Sequence, residues 1–468
     1  MKKIIVAFIL IFASVSSSAY GQLSTTYINR LNTVFDSVCN RYHIKGSSAA
    51  LIVPGVGMWK GVHGESYSGQ PITSDMLFGI NSNTKTYVAT TMLKLQEMGK
   101  VNLDDTIGTW IKGQKNINGQ IRIRQLLNHT SGIFSFTEDP GFFDSVFTDF
   151  TRIWAPEEIY QFVDSPYFAP GTSWRYSNTN YLLAGIIIKQ IMHQPFSKTL
   201  RDLVLAPQGL DSTIFSPEET STLPTPHVWS LWDNGIYMED FMADFGYENY
   251  SMFSASYTAG AIMATASDNA KFWNALISGK IINDSSMKQM LQYVVLSSTP
   301  LTHQEVDYGL GIFRYTNFFN GHTIYEHGGT NMGFINENAV DSTTGVCISV
   351  LTNQDSISND ILLEDVVKAL LKVSVSVSPT EVAQVVSTNN IHIYPNPASD
   401  YVKLDIDNLT EPMKLQLYDL SGRMVMAEEI NNNSTVIPTI QLQDGFYISR
   451  LIDNKGQVVN TQKIQIIK

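Results

Sequence analysis

The chain has 468 residues, of which 43% are hydrophobic, 11% aromatic and 16% charged. That is enough apolar material for sizeable cores and excludes a disordered or fibrous chain. Acidic residues number 43 against 31 basic ones, a net charge of -12, and with no basic run this excludes attraction to nucleic acid or anionic lipid.

At the N-terminus, Met1-Lys2-Lys3 precedes an apolar run over 4–15 and a small-residue stretch over 16–22. Twelve apolar residues are too few to span a bilayer, so residues 1–21 read as a secretory signal peptide. No later stretch is long and apolar enough for a membrane helix; the run 182–188 ends at Lys189. An amphipathic helix carrying Tyr27 follows the leader, and then strand patterns over 48–53 and 57–64. Cys39 and Cys347 are the two cysteines. Both sit in apolar settings that suit buried thiols, although an exported chain could pair them. The nine histidines show neither His-x-x-x-His nor His-Glu-x-x-His spacing, so the sequence supports no metal site and implies no cofactor.

Residues 23–371 contain no Gly-x-Ser-x-Gly elbow, which directs attention to Ser-x-x-Lys. Two such motifs occur: Ser82-Asn83-Thr84-Lys85 and Ser285-Ser286-Met287-Lys288. Context separates them. Ser82 follows the apolar approach 76–81 and opens a helical stripe of Val88, Met92, Leu95 and Met98 that ends at Gly99. Lys85 then lies on the same helix face, about one turn on. A serine hydroxyl needs a nearby base, and an amine serves only once desolvation or a neighbouring cation lowers its pKa. Ser285, in a polar run, reads as an N-cap on a surface helix.

A proton relay is sought among the Tyr-x-Asn pairs that begin at Tyr27, Tyr176 and Tyr247. Tyr176 and Asn178 follow a Pro170-Gly171 turn on a loop before a helix over 181–192, whereas Tyr27 and Tyr247 read as structural. Residues 227–257 form an aromatic, acidic excursion without Lys or Arg. It reads as a packed surface segment, or as the lining of a substrate pocket. Further on, strand patterns over 308–315, 323–326, 333–340 and 345–352 bracket His327-Gly328-Gly329-Thr330. The paired glycines permit close backbone approach, and a strand-edge N–H there could join that of Ser82 in an oxyanion hole.

A Ser-, Thr- and Val-rich segment over 372–390 reads as a linker. Short alternating strands at 402–406, 414–418, 423–428, 445–453 and 458–467 then indicate a small β-sandwich over 391–468.

With Ser82-x-x-Lys85, Tyr176-x-Asn178 and His327-Gly328-Gly329 in that order, the chain resembles the penicillin-recognising serine hydrolases: class C β-lactamases, D-Ala-D-Ala carboxypeptidases and β-lactamase-like esterases. The segments Ile123-Arg124-Gln125-Leu126-Leu127-Asn128-His129-Thr130-Ser131-Gly132 and Tyr308-Gly309-Leu310-Gly311 support it. The resemblance implies an α+β fold, an antiparallel sheet with flanking helices beside a helical part. It makes Ser82 the acylated nucleophile, with Lys85 and Tyr176 sharing general-base work. Asn178 would hold the substrate, and the N–H groups of Ser82 and Thr330 would form the oxyanion hole. His327 stands where β-lactamases and carboxypeptidases carry Lys. Facing a substrate carboxylate, a neutral imidazole binds it less well than a fixed ammonium, and this departure favours an esterase or peptidase-like hydrolase over a β-lactamase proper. His129 fits the pattern as a buried structural residue. A non-catalytic peptidoglycan-binding or sensor protein is the rival reading. The motifs Tyr394-Pro395-Asn396-Pro397, Leu417-Tyr418-Asp419-Leu420-Ser421-Gly422-Arg423 and Gly445-Phe446-Tyr447 resemble the C-terminal sorting domain of the type IX secretion system, which implies that machinery as a partner and an extracellular or cell-surface destination.

Overall fold

The computed structural model describes residues 23–379 and 391–468 except 233–235, 239–249, 297–305, 332, 358, 360, 408, 410, 420–422 and 455–457; side chains over 230–250 and at 363 are not described. The expected signal peptide and Tyr247 therefore lie outside the described residues, as do residues 233–235 and 239–249 of the aromatic excursion. The chain divides into two compact units at 380/381.

The first unit is organised by a ten-stranded antiparallel sheet drawn from both ends of its sequence. Strand Gly46–Val53 pairs with Gly57–Tyr67 on one side and Cys347–Thr352 on the other. The order then continues through Phe334–Asp341, His322–Glu326, Phe313–Phe319, Val306–Tyr308 and Val294–Val295. The central strands Gly46–Val53, Phe334–Asp341 and Cys347–Thr352 are buried along their whole length, because helices cover both faces. Side chains alternate accordingly. Ala49, Leu51, Ile335, Ala339 and Ile348 join the core formed with helix Thr25–Arg41 and the helical segments Ile361–Val367 and Lys368–Ser376. Ala50, Ile52, Val340, Cys347 and Leu351 face the other core, which contains Phe272 and Trp273 of helix Ala266–Ile277.

That second core extends into the helical half, built around Thr84–Glu97 and Asn178–Met192. Both helices are buried nearly all round and so show little amphipathic contrast. Cys39 and Cys347 are buried free thiols.

Three local expectations are corrected. Residues 372–376 are helical rather than linker, because Leu370, Leu371 and Val373 bury against the sheet-covering core. Tertiary packing overrides the β-branched, Ser-rich composition there. The helix expected at 181 starts at Asn178, so Asn178 opens the helix instead of sitting on the loop. Ser285 is not a cap: Asn283 caps Asp284–Met290 by accepting from Ser286 N at 2.9 Å, and Ser285 is exposed one residue inside the helix.

The second unit has its own core, including Val402, Leu404, Leu415, Leu417, Leu451 and Ile464. It comprises a three-stranded sheet (Ile391–Tyr394, Tyr401–Ile406, Ser434–Pro438) and a four-stranded one (Met413–Asp419, Met424–Ile430, Gly445–Ile452, Val458–Ile466). The strands Ile391–Tyr394 and Ser434–Pro438 add to the five read from the sequence. No described helix is long and apolar enough to cross a membrane.

Candidate active site

Ser82 sits in a 3-10 turn, Asn81–Asn83, that leads directly into helix Thr84–Glu97. The turn is fastened to the sheet by its two asparagines. Asn81, at φ 47°, donates from Nδ2 to Phe334 O at 2.8 Å, and Asn83 donates to His327 O at 2.7 Å. Both side chains are buried, whereas Ser82 between them is partly open. Anchoring both neighbours fixes the serine without using its hydroxyl.

Lys85, one turn on, is fully buried. Its Nζ donates to Ala259 O at 2.7 Å and lies 2.9 Å from Ser82 Oγ. Among the described residues no carboxylate is paired with it, and burial holds its pKa well below the usual lysine range. A neutral amine within hydrogen-bond reach of a serine hydroxyl can accept its proton.

Tyr176 packs over this pair, its ring centroid 4.9 Å from Lys85 Nζ. Burial pushes its phenol up; a side-chain hydrogen bond with Ser82 opposes that shift, and the charge of Glu326 adds to it. Asn178 is held by Ser135 and Thr137: its backbone N donates to Ser135 Oγ at 3.0 Å and its Nδ2 to Thr137 Oγ1 at 2.9 Å. His129 is buried beneath Tyr176, ring centroids 4.3 Å apart. Its Nδ1 accepts from Ser177 N and faces Asn180 Nδ2, both at 3.1 Å, which places its proton on Nε2. Burial, reinforced by Lys85, pushes its pKa far down.

The strand across from Ser82 is held as tightly. Glu326 stands opposite Ala339 and Gly329 opposite Asn336, a single register that sets His327 across from Asn338 and Gly328 across from Glu337. His327, Gly329, Asn336 and Asn338 then share the face toward Ser82, while Glu326 and Glu337 share the other. His327 O accepts from Asn83 and, at 3.2 Å, from Asn338 Nδ2; Gly329 O accepts from Asn336 Nδ2 at 3.1 Å. Asn338 donates to Asn336 Oδ1 at 2.9 Å and accepts from Asn269, which also accepts from Tyr87 OH. Gly329 is obligatory on space alone. A Cβ there would lie 2.5 Å from Ile80 O, 2.7 Å from Ser82 N and 2.9 Å from Asn336 Nδ2. Thr330 is exposed, with its hydroxyl bonded to Asn359.

His327 departs from the expectation that it faces a substrate carboxylate. The residue is 2% exposed, with ring Nδ1 donating to Gly328 O at 2.7 Å and Nε2 accepting from Tyr308 OH at 3.2 Å. Burial, then the charge of Lys85, pushes its pKa down to about 3. A buried ring with both nitrogens engaged braces the strand on its Ser82 face and leaves no free nitrogen for a substrate carboxylate. The structure thus brings Ser82, Lys85, Tyr176 and Gly329 together, with Thr330 next along the strand, while Asn178 is held by Ser135 and Thr137 and His327 is buried. Ser285 is an exposed residue of a separate helix. Sequence reasoning missed Asn81, Asn83, Asn336 and Asn338; the alternation of Asn336 and Asn338 within one strand was a signal for those two, and nothing in the sequence marked Asn81 or Asn83.

Residues 28–371 match the family described as Beta-lactamase, and residues 392–468 match the Secretion system C-terminal sorting domain. Penicillin-binding protein 4* of Bacillus subtilis is 25% identical over 251 residues, covering 52% of this chain and 53% of that protein. Protein flp of Staphylococcus aureus is 30% identical over 201 residues, 40% of this chain and 38% of that one. The chain thus spans about half the length or less of these relatives. Among solved structures, D-amino acid amidase from Ochrobactrum anthropi SV3 is similar with a TM-score of 0.63 at 26% identity, over 75% of this chain and 99% of that one. D-stereospecific amidohydrolase from a Streptomyces species has a TM-score of 0.60 at 27% identity, covering 72% and 98%. The sorting domain marks the chain for type IX export to the cell surface or extracellular space. With residues 28–371 matched and the transpeptidase-like sheet and helical half in place, the chain belongs to the β-lactamase family of serine hydrolases.

Proposed function

We propose that this exported protein hydrolyses an amide, ester or D-amino-acid peptide through an acyl-enzyme on Ser82. The observation that carries the reading is the fully buried Lys85 amine, 2.9 Å from Ser82 Oγ and held well below its usual pKa by loss of solvent. Lys85 Nζ takes the proton as Ser82 Oγ attacks the carbonyl carbon, and the Ser82 and Thr330 N–H groups receive the developing oxyanion. Tyr176, packed over the amine, passes the proton to the departing amine or alkoxide. Water then attacks the ester with the same groups in reverse, releasing the acid and restoring the serine. Asn178 is assigned to orienting the acyl side of the substrate. D-Amino-acid amides are the first substrates to test, since both structural neighbours described above carry D-amino-acid or D-stereospecific amide hydrolysis in their names. The burial of His327 supports a substrate that needs no fixed cation there.

The experiment is labelling with a fluorophosphonate, mapped by mass spectrometry, alongside turnover of D- and L-amino-acid amides, a nitrophenyl ester and a chromogenic cephalosporin. An adduct on Ser82, lost in Ser82→Ala and retained in Ser285→Ala, is expected. An adduct on Ser285, or no adduct and no turnover, overturns the reading.

A further inference from the structure

Behind the His327–Thr330 strand, on the face turned from Ser82, lie two buried carboxyl groups that the acyl-transfer chemistry does not use. Glu326 and Glu337 are each 3% exposed and hydrogen-bonded to one another. Glu326 also accepts from Tyr315 and from the backbone N–H of Gly328. Glu337 Oε1 accepts from Asn359 Nδ2 at 2.7 Å, and the same Nδ2 reaches Asn336 O at 3.1 Å. Gly328 is pressed so closely on this pair that a Cβ there would collide with the Glu337 carboxyl. Gly328 is therefore held through both of its flanking peptide groups, its N–H by Glu326 and its C=O by His327 Nδ1.

Two carboxyl groups in hydrogen-bond contact cannot both be ionised at low cost; one proton must lie between them. We infer that Glu326 and Glu337 are a proton-sharing pair that positions the Gly328–Thr330 strand for oxyanion binding, so that loss of the shared proton disables the site. Both are positioning residues, acting through Gly328. The inference rests on the proposed acyl transfer at Ser82. Burial pushes the Glu326 carboxyl up to about 7, against the hydrogen bonds from Glu337, Tyr315 and Gly328. Tyr315 faces the pair from strand Phe313–Phe319 as a hydrogen-bond donor. On the covering helical segments Ile361–Val367 and Lys368–Ser376, Glu364 and Lys368 are bonded to each other at 3.0 Å. Lys85 and His327 lie on the site side, both held toward neutrality by burial, and Tyr176 and Tyr308 there are raised phenols.

The sign follows directly. Below its raised pKa the pair carries one proton and one negative charge. As pH rises through that value a second negative charge appears, the two carboxylates repel, and Glu337 is driven against Gly328. The test is the pH dependence of fluorophosphonate labelling of Ser82 in the full chain, which needs no knowledge of the natural substrate. Glu326→Gln replaces the shared proton by a permanent amide donor, and Glu337→Gln does so from the other side. In the native chain the labelling rate should fall on the alkaline side of neutrality by roughly tenfold or more, the scale on which small misplacement of a reacting group acts. In either glutamine variant that alkaline limb should disappear while the rate at pH 6 stays within a few-fold of native. Glu326→Ala, with no group to share a proton, should be slow at every pH, and its restoration by glutamine separates positioning from lost bulk. A native alkaline limb that persists unchanged in both glutamine variants overturns the inference, as does a native profile without one. Absence of labelling in the native chain at all pH values overturns the proposed acyl transfer instead.

Discussion

Substituting Gly329 by alanine is the sharpest test of the cleft, because the added methyl has nowhere to go. Its carbon would sit 2.5 Å from Ile80 O and 2.7 Å from Ser82 N, and ordinary contact begins at 3.4 Å. One side of the cleft must therefore withdraw by close to an ångström. Neither side is free to do so. The serine turn is bound to Phe334 O and His327 O through Asn81 and Asn83, and Gly329 O is bound to Asn336. No positive φ is involved at this position, so crowding is the whole effect. Overpacking of this kind costs about 1–3 kcal/mol of stability. The catalytic loss should be larger, since the methyl screens Ser82 N; removing one oxyanion donor lowers kcat by about 10²–10³. The assay is single-turnover acylation by a nitrophenyl ester together with thermal melting. A variant that melts a few degrees lower yet acylates at least a hundredfold more slowly fits. Acylation within threefold of native would refute the placement of this glycine against the serine N–H.

Asn83→Ala removes the 2.7 Å bond to His327 O and leaves that buried carbonyl to Asn338 alone; we expect a loss of about 1–3 kcal/mol in chemical denaturation and slower labelling of Ser82. Lys85→Met should abolish labelling while changing the pH dependence of stability. The folded pKa of Lys85 is depressed, so the unfolded chain binds the extra proton between that value and the ordinary lysine pKa, and native stability rises with pH across this window. Native and variant free energies of unfolding should thus converge or cross with a relative slope of about 1.4 kcal/mol per pH unit; parallel curves would mean that Lys85 is charged when folded.

What the sequence disclosed followed from how locally each feature is encoded. Ser82 lies in the turn that opens, and Lys85 in the first turn of, a helix whose periodic stripe reads Val88, Met92, Leu95 and Met98; the first three are buried as that stripe requires, whereas Met98, at the C-cap, is exposed. The strands His322–Glu326 and Cys347–Thr352 likewise sit within a residue or two of their alternating patterns. The asparagine fastenings were hidden because Asn83 meets His327 across 244 residues, and asparagine has no periodicity that announces burial. The orientation of His327 was equally hidden: it depends on Tyr308 from another strand claiming Nε2. The Glu326–Glu337 pair shows only as a register, visible once the two strands are known to be neighbours. In helix Lys368–Ser376 the local signal pointed the wrong way, and only the core waiting to receive Leu370 and Val373 made it helical.

Strand Gly46–Val53 finds its partner in Cys347–Thr352, some three hundred residues later, and the serine turn is clamped by a segment nearly as distant. Closing so long a loop delays assembly. A nascent chain that has not yet reached Thr352 can possess the whole Ser82 helix and still lack half of its cleft. Reactivity is therefore acquired in one late step, and no N-terminal fragment that stops short of that strand should be able to acylate itself.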